Sequence, residues 1–533
     1  MKIGVLISSY DGCNSPFEKY DQYQDPSRYV TNHDFELRFI TKKDAYKQLD
    51  EVKKEGFDLW INFMWGQRHD NVAGIDAVAY AETLGVPMVG TSSKFLSLSK
   101  IDFKLAASKY NILTPRYKVI KSREDNITLE NFPVIVKSAR DCGSLHMTKT
   151  SVCSNSSELK CEISRMWDLV QCEFLVEEYI FGREYSVIVI ENTDGIDALS
   201  PLVYKFPDSF ALEEQFLDFD NKFKRIDTGE ITLELVDEAD PLFNKIKQVA
   251  CQAYNSIHVY GSGYARIDLR VDNQNNIYVL EINPTPAFFS PIGNNFGDDY
   301  EIKKSFPGGH EALLDQIIEA KMKLVGIAHK YDVMSAKYNE LTKDINLYQI
   351  LTKLLGKYEY NGDVLDLGCG TGRVGEIIIS CEQNAKLIGV DVSPEMAKQA
   401  KLYSQVYRDS IENFVFNIDE QTFDHVLSIG CLHFLNNVVF EEVIRRLFEI
   451  ARKSITISIE EIPDVYNEML IKKGCHCIYS YNNKSVIDDF NIPENWILAH
   501  SEHNLMWCSP TTGINIHGLI LRFESNQKGK SSV

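Results

Sequence analysis

The chain has little proline and glycine, 16 and 30 of 533 residues, which leaves no room for long disordered tracts. No apolar run approaches the roughly 20 residues of a membrane span. Lys2 precedes an apolar stretch, but Ile3 to Ile7 is too short for a secretion core. Positive charge is also scarce: 56 Lys and Arg against 76 Asp and Glu give a formal net charge of −20. A chain this acidic is repelled by nucleic acid and by anionic lipid, so neither is expected as a partner. The 12 cysteines are scattered, and only Cys475 and Cys477, flanking His476, stand close together. With no second pair at metal-ligand spacing, they read as reduced thiols of a soluble cytoplasmic protein.

What the chain does have is material for several cores. Hydrophobic residues make up 44% and charged residues 25%, the mix of a globular protein, and the length predicts three or four compact units. KIGVLISS, FDLWINF and VPMVG read as strands, with helical spacing from Ala73 to Leu84, the alternation of an α/β layer. A helix follows over 100–110, then short strands suited to antiparallel pairing: RYKVI, FPVIVKSA, FLVEEYI and YSVIVI. A helix near 240–256 leads to YARIDLRV and IYVLEINP, joined by an asparagine-rich turn at 273–276. A helix over 310–329 opens a second α/β unit. Its strands are DVLDLGC, KLIGVDV, FDHVLSIG and SITISIEE, with helices at 394–404 and 438–452 between them.

In the second half, Asp366, Gly368, Gly370 and Gly372 form D-x-G-x-G-x-G between an apolar strand and the helix VGEIII. Glycines let a backbone turn tightly and approach a nucleotide-like ligand at the strand ends. Arg373 and the lack of a third glycine at dinucleotide spacing argue against NAD. Asp391 ends the next strand, where it can accept bonds from two ribose hydroxyls, and Asp409 precedes SIENFVF. VLDLGCGTG, GVDVSPEM, YRDSIENF and FDHVLSIGCLHFL, in this order, resemble the class I S-adenosylmethionine-dependent methyltransferases over about 328–525. The resemblance implies that Gly368 and Gly370 pass the methionine moiety, Asp391 holds the ribose and Asp409 faces the adenine. Tyr331 and Tyr338 fit a lid helix, and His433 is the candidate catalytic group.

The first half offers four separated features. Lys100 opens a helix and Lys137 ends a strand, so both can reach a polyphosphate. A small-residue turn follows, from Ser138 through Gly143 and Ser144. Glu177 and Glu184 are spaced to take an adenine amino group and a ribose. Asp268, Glu281 and Asn283 supply oxygen ligands of the kind Mg²⁺ requires. In this order the features resemble the ATP-grasp carboxylate–amine ligases, especially the D-alanine–D-alanine ligase branch, over about 1–320. The most specific pieces are FPVIVKSAR, FLVEEYI…GREY and YARIDLR…VLEINPTP. The resemblance implies that Lys100, Lys137, Ser144 and Lys222 meet the ATP phosphates. It also implies that Glu177 and the backbone at Ile180 hold adenine and Glu184 the ribose. Asp268, Glu281 and Asn283 would bind Mg²⁺, and Arg266 would stabilise a developing oxyanion. Gly143 and Phe223 stand where the dipeptide ligases carry a Ser–Tyr pair; Ile292, Ala287 and His146 also depart from the pattern, and YDGCNSPFEKY replaces the N-terminal signature. A larger or less polar acceptor than D-alanine is expected, with Arg140, Arg68 and His69 as further substrate contacts.

The expected fold class is therefore α/β multidomain, a three-lobed ATP-grasp fold followed by a Rossmann-like class I methyltransferase fold. Its divisions are 1–96 for the N-terminal lobe, 97–325 for the central and C-terminal lobes, 326–525 for the methyltransferase domain and 526–533 for a polar tail. The expected cofactors are ATP, Mg²⁺ and S-adenosylmethionine. The expected partners are a small carboxylate and an amine, with no nucleic acid and no membrane; a homodimer is compatible with this. The leading reading is a bifunctional biosynthetic enzyme. The alternatives are a protein-modifying ligase and methyltransferase, or a nucleotide sensor with one inactive half.

Overall fold

The near-continuous apolar run KIGVLIS suits a parallel strand covered on both faces, and Lys2–Ser8 is buried along almost its whole length. In the computed structural model it lies inside a four-stranded parallel sheet ordered Asp34–Ile40, Lys2–Ser8, Leu59–Asn62, Met88–Gly90. Helices Ala45–Lys54 and Ile75–Thr83 pack into one core with Leu6 and Trp60. The edge strand Asp34–Ile40 has no counterpart in the sequence reading. It is only half buried, so its apolar residues lack the run that marks its neighbours. Residues 1–526 are described apart from 14, 20, 22, 123, 124, 126–130, 141, 142, 171, 227, 294–296, 344, 345, 382, 383, 419, 476, 477 and 490. The tail from 527, and His476 with Cys477, thus lie outside the described residues.

A second sheet is antiparallel, ordered Tyr117–Ile120, Phe174–Glu178, Val134–Ser138, Val152–Cys153. Val134, Val136, Phe174 and Val176 form its core with Leu159 and Met166 of helix Ser156–Leu169. A third sheet runs Thr232–Leu235, Leu202–Lys205, Arg183–Asn192, Tyr264–Val271, Ile277–Asn283, all antiparallel. Helix Phe243–Ser256 seals one face through Ile246, Ala250 and Tyr254.

The chain divides into two units, Met1–Asn192 with Ile196–Lys321, and Thr193–Gly195 with Met322–Val533. Helix Gly309–Met334 runs beyond the expected 329, and the division falls within it. The second unit holds a seven-stranded sheet ordered Gln405–Arg408, Ala385–Asp391, Gly362–Leu367, Phe423–Ser428, Ala451–Glu461, Asn515–Ser525, Trp496–Cys508. The first five strands are parallel and the last two antiparallel. Two expectations change here. Regular helix after Ser393 covers only Pro394–Ala397, because the chain turns at Ala400 to bring Tyr403 against Asp366. The closing strand Trp496–Cys508 escaped sequence reading because most of it is solvated, leaving no alternating pattern. Among the described residues no helix is long and apolar enough to cross a membrane.

Candidate active sites

The alternation of strand side chains sorts the first unit's charges onto one surface. In Val134–Ser138, Val134 and Val136 enter the core while Ile135 and Lys137 face a cleft. Glu177 pairs in register with Ile135 and shares that face. In Tyr264–Val271, Ile267, Leu269 and Val271 are core residues, whereas Asp268 and Arg270 line the same cleft. Asp268 lies opposite Glu281, and Arg266 opposite Asn283. A capping box, Ser99 with Asp102, starts helix Lys100–Lys109 and fixes Lys100 at its first position.

The cleft therefore brings together Lys100, Lys137, Ser144, Glu177, Ile180 and Glu184, with Lys222, Asp268 and Glu281 beside them. Lys137 Nζ lies 2.7 Å from Glu177 Oε2, and Lys104 Nζ lies 3.0 Å from Oε1. The buried Glu177 carboxylate is the counter-ion of two lysines, and the residue lines the same cleft in which an adenine acceptor is expected. Lys100 Nζ lies 3.0 Å from Glu281, which the surrounding lysines hold below the usual carboxylate range against its burial. Burial pushes Glu184 up to about 7, with Arg270 4.0 Å away opposing it. Ser144 Oγ donates to the Leu217 carbonyl at 2.7 Å, pinning the turn that follows Lys137. Asp141 and Cys142 of that turn lie outside the described residues.

Arg266, Asn283 and Lys222 line a neighbouring cleft, so Lys222 borders both. The Arg266 guanidinium is gripped by Asp268 at 2.6 and 2.8 Å and by Asp298 at 3.2 Å. Three residues that the sequence reading passed over belong here: Lys104, Arg270 and Asp298. Lys104 is one helical turn beyond Lys100, and Arg270 is two residues beyond Asp268 on the same strand face, so periodicity alone could have found both. Asp298 is distant in sequence and carries no such signal. Arg68 is exposed and paired with Asp76 at 3.1 Å, and His69 lies by Asp70 at 3.8 Å; neither lines these clefts. Arg140 borders a separate cavity beside Lys100, and Ile292 is 75% exposed.

Does this site suit the groups its resemblance implies? Among the described residues no group of three or more His, Cys, Asp or Glu is arranged to hold a metal. Asp268, Glu281 and Asn283 nevertheless present two carboxylates and an amide, the hard oxygen donors that Mg²⁺ takes. Glu184 Oε2 is buried without a hydrogen-bond partner, as expected of an acceptor kept for a ligand hydroxyl. The residues fit a magnesium–nucleotide.

In the second unit Gly368, Gly370 and Gly372 all have positive φ, at 72°, 54° and 92°. Gly370 faces open space, where a Cβ would meet no atom within 4 Å, and its N–H donates to Asp391 Oδ2 at 2.8 Å. Asp391 Oδ1 accepts from the Ser393 N–H at 2.8 Å, and burial raises its carboxyl. Asp409 is held by Asn413 Nδ2 at 2.8 Å. These groups line one cavity with Gly368, and Tyr331, Tyr338 and Tyr348 border it too. The open backbone at Gly370 and the acceptor at Asp391 fit a nucleoside carrying ribose hydroxyls.

Three expected residues lie elsewhere. A Cβ on Gly372 would come 3.0 Å from Ala400, so this glycine serves chain packing rather than ligand approach. Asp366 is buried under the loop, accepts a bond from the Tyr403 hydroxyl and does not line the cavity. His433 is buried 3.2 Å from Glu460 and also does not line it. Its ring packs on Phe434 at 4.2 Å, which removes it as the candidate catalytic group. Burial pushes Asp366 up to about 7 from 3.8. The folded chain keeps a proton that the unfolded chain has lost. That stabilisation is complete below about 3.8 and disappears as pH rises through about 7. Asp366→Asn keeps an acceptor for Tyr403 and flattens the fall in melting temperature between about 4 and about 7. An unchanged slope in pH-resolved melting contradicts this.

Residues 101–292 match the family described as D-ala D-ala ligase C-terminus, and residues 364–454 match the one described as methyltransferase domain. The chain is 27% identical over 214 residues to a D-alanine–D-alanine ligase of Pseudomonas putida (strain GB-1), covering 39% of this chain and 61% of that protein. It is 29% identical over 261 residues to the ligase of Marinomonas sp. (strain MWYL1), covering 48% and 76%. It also aligns with the crystal structure of a D-alanine–D-alanine ligase from Bacillus anthracis. That alignment has 17% identity and a TM-score of 0.44, and covers 61% of this chain and 98% of that one. The chain thus spans 61% of the length of the first of these relatives. One α/β polypeptide thus joins an ATP-grasp domain of the D-Ala–D-Ala ligase type to a methyltransferase domain.

Proposed function

We propose that the chain is a bifunctional biosynthetic enzyme. One half joins a small carboxylate to an amine at the expense of ATP, through an acylphosphate. The other methylates a small-molecule substrate or product, with S-adenosylmethionine as donor. One observation carries the ligase reading: Lys222 borders both the cleft that holds Lys100 and Lys137 and its neighbour, with Arg266 and Asn283 on the neighbour's wall. A carboxylate in the second cleft thereby meets a cation shared with phosphates in the first.

Lys100 and Lys137 clamp the polyphosphate, Glu184 takes the ribose and Ile180 offers its backbone to the base. Arg266, held rigid by Asp268 and Asp298, faces charge that develops on the carboxylate oxygen. Asp268, Glu281 and Asn283 would hold Mg²⁺, which supplies charge neutralisation between phosphate oxygens when bound. Catalysis of this kind is positioning plus preorganised charge. In the other half, Asp391 and Asp409 orient the donor, and the three tyrosines exclude water from the transfer path. The acidic surface favours a cytoplasmic metabolite over RNA as methyl acceptor.

Pools of carboxylates and amines supplied with ATP and Mg²⁺ test the ligase half. At least one pool raises ADP formation, and hydroxylamine added in place of the amine captures the activated carboxylate as a hydroxamate. ADP formation that no pool raises above background counts against the reading.

A further inference from the structure

The second cleft of the ligase unit is walled by rings. Phe17 meets Trp65 edge-on with centroids 5.3 Å apart, and meets Phe223 at 6.1 Å and 63°. Tyr10 packs on Trp65 at 6.3 Å, and Phe219 supports Phe223 from behind at 4.8 Å. Gly143 lies under this group: a Cβ there would come within 3.0 Å of Phe17 and 3.8 Å of Phe223. A larger residue at 143 would push into the rings, and its φ of 61° disfavours one further.

The cleft also has charged poles. Lys222 and Arg266 border it, and so does Asp21. The Asp21 carboxylate is oriented by the Tyr10 hydroxyl and by the Tyr23 N–H at 3.1 Å. It is an acceptor with lone pairs to spare, suited to an ammonium. Tyr10, Phe17, Asp21 and Trp65 all precede the segment matched to the ligase family, so this lining belongs to the chain's own N-terminal part.

We infer that the carboxylate substrate is an aromatic amino acid. Its ring lies among Phe17, Trp65 and Phe223, its ammonium on Asp21 and its carboxylate toward Lys222 and Arg266. The inference rests on the ligase reading and narrows it. Rings at these spacings reward another ring in edge or offset contact, whereas alanine leaves the apolar wall facing water. Filling such a wall separates good from poor substrates by roughly ten- to a hundredfold.

The full chain with Mg²⁺, ATP and hydroxylamine as the acceptor amine is assayed for ADP release with phenylalanine, tyrosine and tryptophan, as both enantiomers, against alanine and serine at equal concentration. Direct binding of the same amino acids is measured by calorimetry. The expected result is at least about tenfold higher kcat/KM for an aromatic amino acid than for alanine. Phe223→Ser removes most of that preference and Phe223→Leu keeps part of it. ATP binding, which uses the first cleft of the same unit, reports that each variant is folded. Equal use of alanine by the native chain overturns the inference, as does a preference unchanged in Phe223→Ser. If no amino acid raises ADP release but aromatic ones bind and Phe223→Ser weakens them, the ligase reading fails and the pocket assignment stands. If none binds and none is used, the assignment itself is wrong.

Discussion

Lys137→Ala lowers ATP-dependent turnover by roughly 100- to 1000-fold, the usual loss when one preorganised charge donor leaves a transition state. Lys137 stands at the end of a strand whose alternate residues are core, so its position is set by Val134 and Val136 rather than by a mobile loop. Its ammonium lies 2.7 Å from Glu177, a carboxylate that is only 1% exposed. Removing a sole partner from such a group costs several kcal/mol of stability. Here Lys104 remains 3.0 Å away on the other oxygen, so Glu177 stays neutralised and the fold survives. The loss falls on chemistry, and ADP release by the purified variant measures it. S-adenosylmethionine affinity is unchanged, because the two halves have separate cores, one built around Val187, Ala250 and Ile267, the other around Leu351, Leu387 and Ile520. Loss of both properties would mean that the halves fold or work as one.

Asp391→Ala weakens S-adenosylmethionine binding by about 1–3 kcal/mol, or roughly 5- to 150-fold. The change removes an acceptor at the strand end where ribose hydroxyls are expected. It also removes the group that holds the Gly370 and Ser393 N–H donors at 2.8 Å each. Two donors are then left without their partner and the glycine loop loses the tie that keeps it open. Asp391→Asn gives an intermediate loss, since one of its two atoms still accepts. Calorimetric titration of the full chain distinguishes these cases, and unchanged affinity for the alanine variant removes Asp391 from the donor site.

The parts of both sites that were legible share a physical cause. Strands impose a period of two, so FPVIVK and RIDLR declare which residues face the core and which face a cleft. Glycines at positions needing positive φ declare a turn, as at Gly368 and Gly370. Illegible were choices made by distant partners. His433 has the address of a site residue, yet Glu460 and Phe434 hold it in the interior. Asp366 heads the glycine motif, yet Tyr403, remote in sequence, claims its carboxylate. Glu177 has the spacing of a base-binding residue, and only the packing of helix Lys100–Lys109 reveals its second lysine. The solvated edge strands Asp34–Ile40 and Trp496–Cys508 were missed for a simpler reason, since exposure erases the pattern that identifies a strand.

Transfer of a labelled oxygen tests the central claim most directly. Aromatic amino acids carrying heavy oxygen in the carboxylate are supplied to the full chain with ATP, Mg²⁺ and an amine pool, and the released phosphate is weighed by mass spectrometry. Attack of the carboxylate on the γ-phosphorus, followed by attack of the amine on the carbonyl carbon, leaves one substrate oxygen in the phosphate. Heavy phosphate accompanied by ADP is the predicted result. Unlabelled phosphate, or AMP in place of ADP, contradicts it.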